Sequence, residues 1–151
     1  MPNYNSEEQQ AERNRARINA GIRSTTLEIN NIKTQISGEE EIIRQYTNLI
    51  DRLINIKDYV SRGEKDLKTG TEEFKYGYKS AYSVNITGLL EASSAQANEC
   101  DSSLSYCLDE ANRKLKEHQK NLETLNNSLN AKKSELQSLN TQLYALNSTR
   151  Y

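Results

Sequence analysis

Residues 104–146 read LSYCLDEANRKLKEHQKNLETLNNSLNAKKSELQSLNTQLYAL. Leu108, Leu115, Leu122, Leu129, Leu136 and Leu143 recur every seven residues, and so do Leu104, Ala111, His118, Leu125, Lys132, Leu139 and Leu146. Two interleaved seven-residue series, offset by three and four, are the a and d positions of a coiled-coil helix; a strand would repeat every two. Nearly every flanking position is polar, so the apolar stripe is narrow. His118 and Lys132 stand at d, where a polar side chain sets register at some cost in stability and a lysine stem lies along the seam.

The N-terminal half repeats the rhythm with isoleucine. Ile22, Ile29, Ile36, Ile43 and Ile50 occupy a; Ile18, Thr25, Ile32, Tyr46, Leu53 and Val60 occupy d, with Glu39 the charged interruption. Ser37-Gly38-Glu39-Glu40 there has the Ser-x-x-Glu form of a capping box. The helix either kinks or restarts at that point, or runs on with a tolerated glycine. Between the heptads lie Gly63, Gly70, Gly77 and Gly88, with Phe74, Tyr76, Tyr78 and Tyr82. Glycine permits turns, which places the hairpin turn near residues 62–71 or 83–88, with a short helix at the tip. The expected fold is all-α: a single helical-hairpin domain over 1–151, a long antiparallel coiled coil. Helix 1 covers about 6–61, the glycine and aromatic tip 62–88, and helix 2 about 89–148.

A turn centred near residue 75 sets residue i of the first helix against roughly 150 − i of the second. Ile18 then faces Lys132, and Leu136, Leu139, Leu143 and Leu146 lie beyond it without an internal partner. Burial of each is worth roughly 1.5–3 kcal/mol, so an exposed stripe of this kind points to another protein. The first helix is also widened by Ile42, Leu49 and Ile56 at g and Ile54 at e. These eight residues are the expected partner-binding set. The partner is a helical protein, with a homodimer as another way to cover the same surface.

Composition narrows the function. Only 34% of the 151 residues are hydrophobic, 27% are charged, and the one proline is Pro2. A proline-free interior favours long helices. Twenty basic and 21 acidic residues give a net charge of −1, without the basic stripe of a nucleic-acid binder. No run approaches the roughly 20 apolar residues of a membrane span. The first residues lack the basic and apolar regions of a cleaved signal peptide, so the expected place is the cytoplasm. Cys100 and Cys107, seven apart, sit about 10 Å from each other on a helix, too far for a mutual disulfide. A single histidine and no phosphate-binding loop leave no catalytic constellation, so no enzyme, cofactor or metal is expected.

Within residues 67–82, Leu67-Lys68-Thr69-Gly70 precedes Phe74, Tyr78 and Tyr82, which follow one another at i, i+4, i+8. Together with the isoleucine-rich and leucine-rich helices, this layout resembles the small α-helical proteins that accompany LXG-domain toxins in Gram-positive type VII secretion, the YwqH-like group among them. These resemble the WXG-type helical hairpins, whose turn carries Trp-x-Gly followed by an aromatic residue. Gly70 matches the motif glycine, and Phe74, Tyr78 and Tyr82 match the aromatics; Lys68 stands where tryptophan is expected. The resemblance also implies a Tyr-x-x-x-Asp/Glu export signal, a form that Tyr106 and Glu110 fit, as do Tyr4 and Glu8. It implies a targeting factor or chaperone for the helical N-terminal domain of an LXG toxin, itself open to export without a cleaved signal. The alternative is a structural or self-assembling coiled coil of a phage or cell envelope, with no toxin partner.

Overall fold

The computed structural model describes residues 4–77 and 81–148, with side-chain surroundings for 6–74 and 86–148. The described residues form two α-helices, α1 (Tyr4–Gly77) and α2 (Ala81–Ser148), which pack against each other as an antiparallel hairpin. No described residue has a cis peptide or a positive φ. α1 is unbroken at Ser37 and Gly38, so the capping-box form there does not restart the helix. Many serines and threonines are held within the helices by donating to a carbonyl four residues back, as Thr26 does to Ile22 at 2.7 Å and Thr71 to Leu67 at 2.7 Å.

Both expected turn positions are corrected. Residues 62–71 lie inside α1 and residues 83–88 inside α2, and no separate tip helix occurs among the described residues. The glycines are outvoted. Each costs a helix interior about 1 kcal/mol relative to alanine, but Leu67, Thr71 and Phe74 carry the a/d rhythm through them and are buried or half-buried.

The chain divides into two compact units: a terminal unit of residues 1–41 and 118–151, and a central unit of residues 42–117. In the terminal unit, Lys132 meets Glu28, Thr25 meets Glu135, and a side chain on Gly21 would touch the Leu139 methyls at 3.4 Å. Residue i therefore faces roughly 160 − i, not the 150 − i of the sequence reading. The central unit has its own cross-links at the same offset: Lys57 and Ser61 both reach Asp101, at 3.3 and 3.0 Å. Continuing α1 to Gly77 is what moves the register by about ten residues.

Every a and d position from Arg15 to Phe74, and from Thr87 to Leu146, is buried or half-buried. Complete burial is rare. Among the described residues only Thr25, Ile29, Ile50, Thr71 and Ala111 are buried, and no large side chain is fully enclosed. A helix in a two-helix seam covers its neighbour from one side only, so the rest of each side chain meets water. In the central unit, Ile50 and Ala111 come level, a large residue against a small one, at 9% and 4% exposure. Ile50→Ala is expected to lower stability by about 2–4 kcal/mol. Leu27→Ala, at a site 65% exposed, should change it by no more than about 0.5 kcal/mol. Urea unfolding followed by far-UV circular dichroism measures both.

Candidate interaction surface

The seam has two flanks, and they differ. On each helix, g lies beside d and e lies beside a, on opposite sides of the stripe. Contacts in the terminal unit show g bordering g across the hairpin: Thr25 donates to Glu135, a g residue of α2, and Glu28, a g residue of α1, accepts from Lys132. In the central unit the e residues Lys68 and Glu91 line one shallow depression with Thr71 and Ser94.

Over residues 42–70 of α1 and 86–107 of α2, the g rows of the central unit carry no charge. They read Ile42, Leu49, Ile56, Gly63 and Gly70 on α1, and Ile86, Ser93, Cys100 and Cys107 on α2, before Lys114 ends the run. Leu49 and Ile56 are 43% and 49% exposed; Tyr59 and Leu89, in the adjoining c rows, are 80% and 69% exposed. Ile42 is half-buried. Antiparallel coiled coils ordinarily place charges at g and e, where they choose partners and orientation. Here the e rows keep some, in Lys68 and Glu91, while these nine g residues have none. Ile54 is 42% exposed but stands at e, on the other flank. The expected patch of Ile42, Leu49, Ile54 and Ile56 is therefore two surfaces: three of its members share the uncharged strip, and Ile54 does not.

The C-terminal leucines also differ from expectation. Leu136, Leu139, Leu143 and Leu146 are half-buried, because the longer α1 brings Arg15, Ile18, Ile22 and Thr25 level with them. They have internal partners. Leu139 and Leu146 nonetheless line an open groove of about 880 Å³ in the terminal unit, with Ile18 and Gly21 on the other wall and Arg17 and Glu135 at its rim.

Three polar interruptions of the seam find partners. Glu39 and His118, both at d, meet with Nδ1 to carboxylate oxygen at 2.7 Å, each about one-fifth exposed. The carboxylate accepts and the imidazole N–H donates. Lys132, also at d, lies 2.6 Å from Glu28 and 2.9 Å from Glu135. Hydrogen bonding and charge attraction from Lys132 hold the Glu28 carboxyl below the usual glutamate range, and Lys132 is raised by Glu28 and Glu135. Lys57 and Asp101, both at a, form the third set. The pairing of Lys57 with Asp101 was missed from the sequence, although two charged residues at a positions were there to be read.

Of the remaining expected site residues, Gly70 lies in α1 with open space where a side chain would stand, and Phe74 is half-buried at d. Tyr78 lies outside the described residues; Tyr82 is in α2, with its side chain outside them. Tyr106 is 71% exposed on the far face of α2. Glu110, one turn on, is exposed and bound by Arg113, whose Nε donates at 2.9 Å and which lowers the Glu110 pKa. Cys100 and Cys107 are free and exposed. Among the described residues no group of acidic, histidine and cysteine side chains is placed to hold a metal ion, and no helix is long and apolar enough to cross a membrane.

Compared with known proteins, the chain matches no protein-family model, no curated protein and no solved structure.

The Glu28–Lys132 contact has a pH signature. Glu28 is depressed in the folded state, so its contribution is complete above the unfolded glutamate pKa and is lost as pH falls through the lower, folded value. NMR titration of the side-chain carboxyl should place the Glu28 midpoint below that of an unpaired glutamate, and Lys132→Gln should return it to the ordinary range.

Proposed function

We propose that this chain is a helical targeting factor, chaperone-like in action, that binds the helical N-terminal domain of an LXG-type toxin and presents it for type VII export. The observation that carries the reading is the uncharged, exposed strip of the central unit, centred on Leu49 and Ile56. A solvent-facing helix flank without charge over four turns and more is a poor way to stay in water and a good seat for another helix. Docking an amphipathic helix there is helix-in-groove recognition, with apolar side chains of the partner entering at i, i+3, i+4 and i+7 spacing. In the terminal unit, the groove beside Leu139 and Leu146 offers a second seat. The likeness of the sequence to LXG-associated helical proteins supplies the class of partner, and Tyr106 with Glu110 supplies an exposed export signal of the expected form.

Co-expression with a toxin N-terminal domain encoded beside this chain tests the reading. Leu49→Asp with Ile56→Asp should abolish co-purification, at a cost to hairpin stability of no more than about 1 kcal/mol, because both side chains are already half in water. Ile54→Asp, on the opposite flank, should leave the complex intact. An unchanged complex in the double variant would remove the strip from the binding site.

A further inference from the structure

The uncharged strip of α1 is complementary to itself when reversed. Its g row runs Leu49, Ile56, Gly63, Gly70: two large residues, then two without side chains. All four lie in the central unit, and at Gly63 and Gly70 an added side chain would meet nothing within 4 Å. Turn a second copy of the row end for end about a point near residue 59. Leu49 then comes opposite Gly70, and Ile56 opposite Gly63, twice over. Each bulky side chain meets a hollow, and no two bulky ones collide.

The adjoining c row obeys the same reversal. It runs Arg52, Tyr59, Asp66. About the same point Arg52 comes opposite Asp66 of the second copy, Asp66 opposite its Arg52, and the two Tyr59 rings meet on the axis. Arg52 and Asp66 are both exposed, and neither is ion-paired with another described residue. The strip spans about 30 Å at 1.5 Å per residue, and a net charge of −1 sets up little repulsion between copies. Shape and charge therefore select one occupant.

We propose that a second copy of this chain docks on the α1 strip. The two α1 helices run antiparallel across a twofold axis at Tyr59, with Leu49 and Ile56 of one seated on Gly70 and Gly63 of the other and two Arg52–Asp66 pairs closing the edge. This is an isologous contact, the kind a C2 dimer requires. It uses the same residues as the proposed toxin contact, so a toxin helix and a second copy compete for them. The dimer itself does not depend on that reading. Sedimentation of the chain alone reads one, and co-purification reads the other, so either can fail without the other.

Sedimentation equilibrium of the full chain should give a dimer of the 17.3 kDa monomer. Arg52→Asp should weaken it roughly tenfold by setting like charges together at both ends, and adding Asp66→Arg to the same chain should restore it. Exposed charge changes of this kind leave the seam intact, so misfolding does not mimic the result. In a Cys100→Ser, Cys107→Ser background, Tyr59→Cys should join two copies when oxidised glutathione accepts the two electrons and releases two reduced glutathiones. Leu27→Cys, exposed but off the strip, should not. A monomer at all concentrations up to about 100 µM, well above ordinary dimer affinities, would overturn the proposal. So would a failure of Asp66→Arg to rescue Arg52→Asp, or equal cross-linking through residues 59 and 27.

Discussion

Charged residues paired inside a two-helix seam are the constraint on which the rest of the structure depends. Apolar heptads alone tolerate a slip of seven residues, since a leucine at one a position is much like a leucine at the next. Glu39 with His118, Lys132 with Glu28, and Lys57 with Asp101 do not tolerate it. A slip of one heptad toward the shorter register would set His118 against Ile32 and Lys132 against Gly21. Each of these half-buried groups would then lose its partner on the facing helix, although Lys132 would keep Glu135 on its own helix, and leaving such a group uncompensated costs more than its pairing gained. The polar interruptions weaken the seam locally and make its alignment unique, as a single buried asparagine does in other coiled coils.

The helices, their a and d faces and the antiparallel fold were legible in the sequence, because each rests on a periodicity that local backbone geometry imposes. The alignment of the helices was not read, although the sequence contained it. Glu39, His118 and Lys132 each stood out as an exception to its own helix, and Lys57 and Asp101 went unremarked. Asking which offset brings Glu39 to His118, Lys57 to Asp101 and Lys132 to Glu28 gives about 160 rather than 150. Placing the turn by glycine content instead led to the wrong offset, because Gly63 and Gly70 sit in a helix whose a and d residues continue past them. The apparent surplus of leucines at the end of α2 followed from that offset and disappears with it.

The patch on α1 was half legible for a related reason. Counting apolar residues outside a and d finds Ile42, Leu49, Ile54 and Ile56 together, but g and e stand on opposite sides of the seam. The heptad positions already set Ile54 apart, and the contacts with the facing helix add that g borders g. Exposure alone would not have separated them, since Leu49 and Ile54 differ by one percentage point. The distinction lies in the company each keeps: Leu49 belongs to a row without charge, and Ile54 to one that includes Lys68.

A seam of two helices leaves each core side chain covered on one side. Few of the described residues are fully withdrawn from water, and the buried ones are mostly isoleucine, threonine and alanine rather than the abundant leucines. Nothing in such a seam forbids charges at g; they would improve solubility and fix orientation at little cost. Their absence from nine g positions of the central unit, while charges are kept at e, is therefore difficult to reconcile with a surface meant to face water. It is the composition of an interior. A third or fourth helix laid along that flank would give Leu49, Ile56 and Tyr59 the second wall that the hairpin alone does not provide. The paired charges inside the seam hold the hairpin in one alignment, and that alignment sets the uncharged residues of both helices on a single flank.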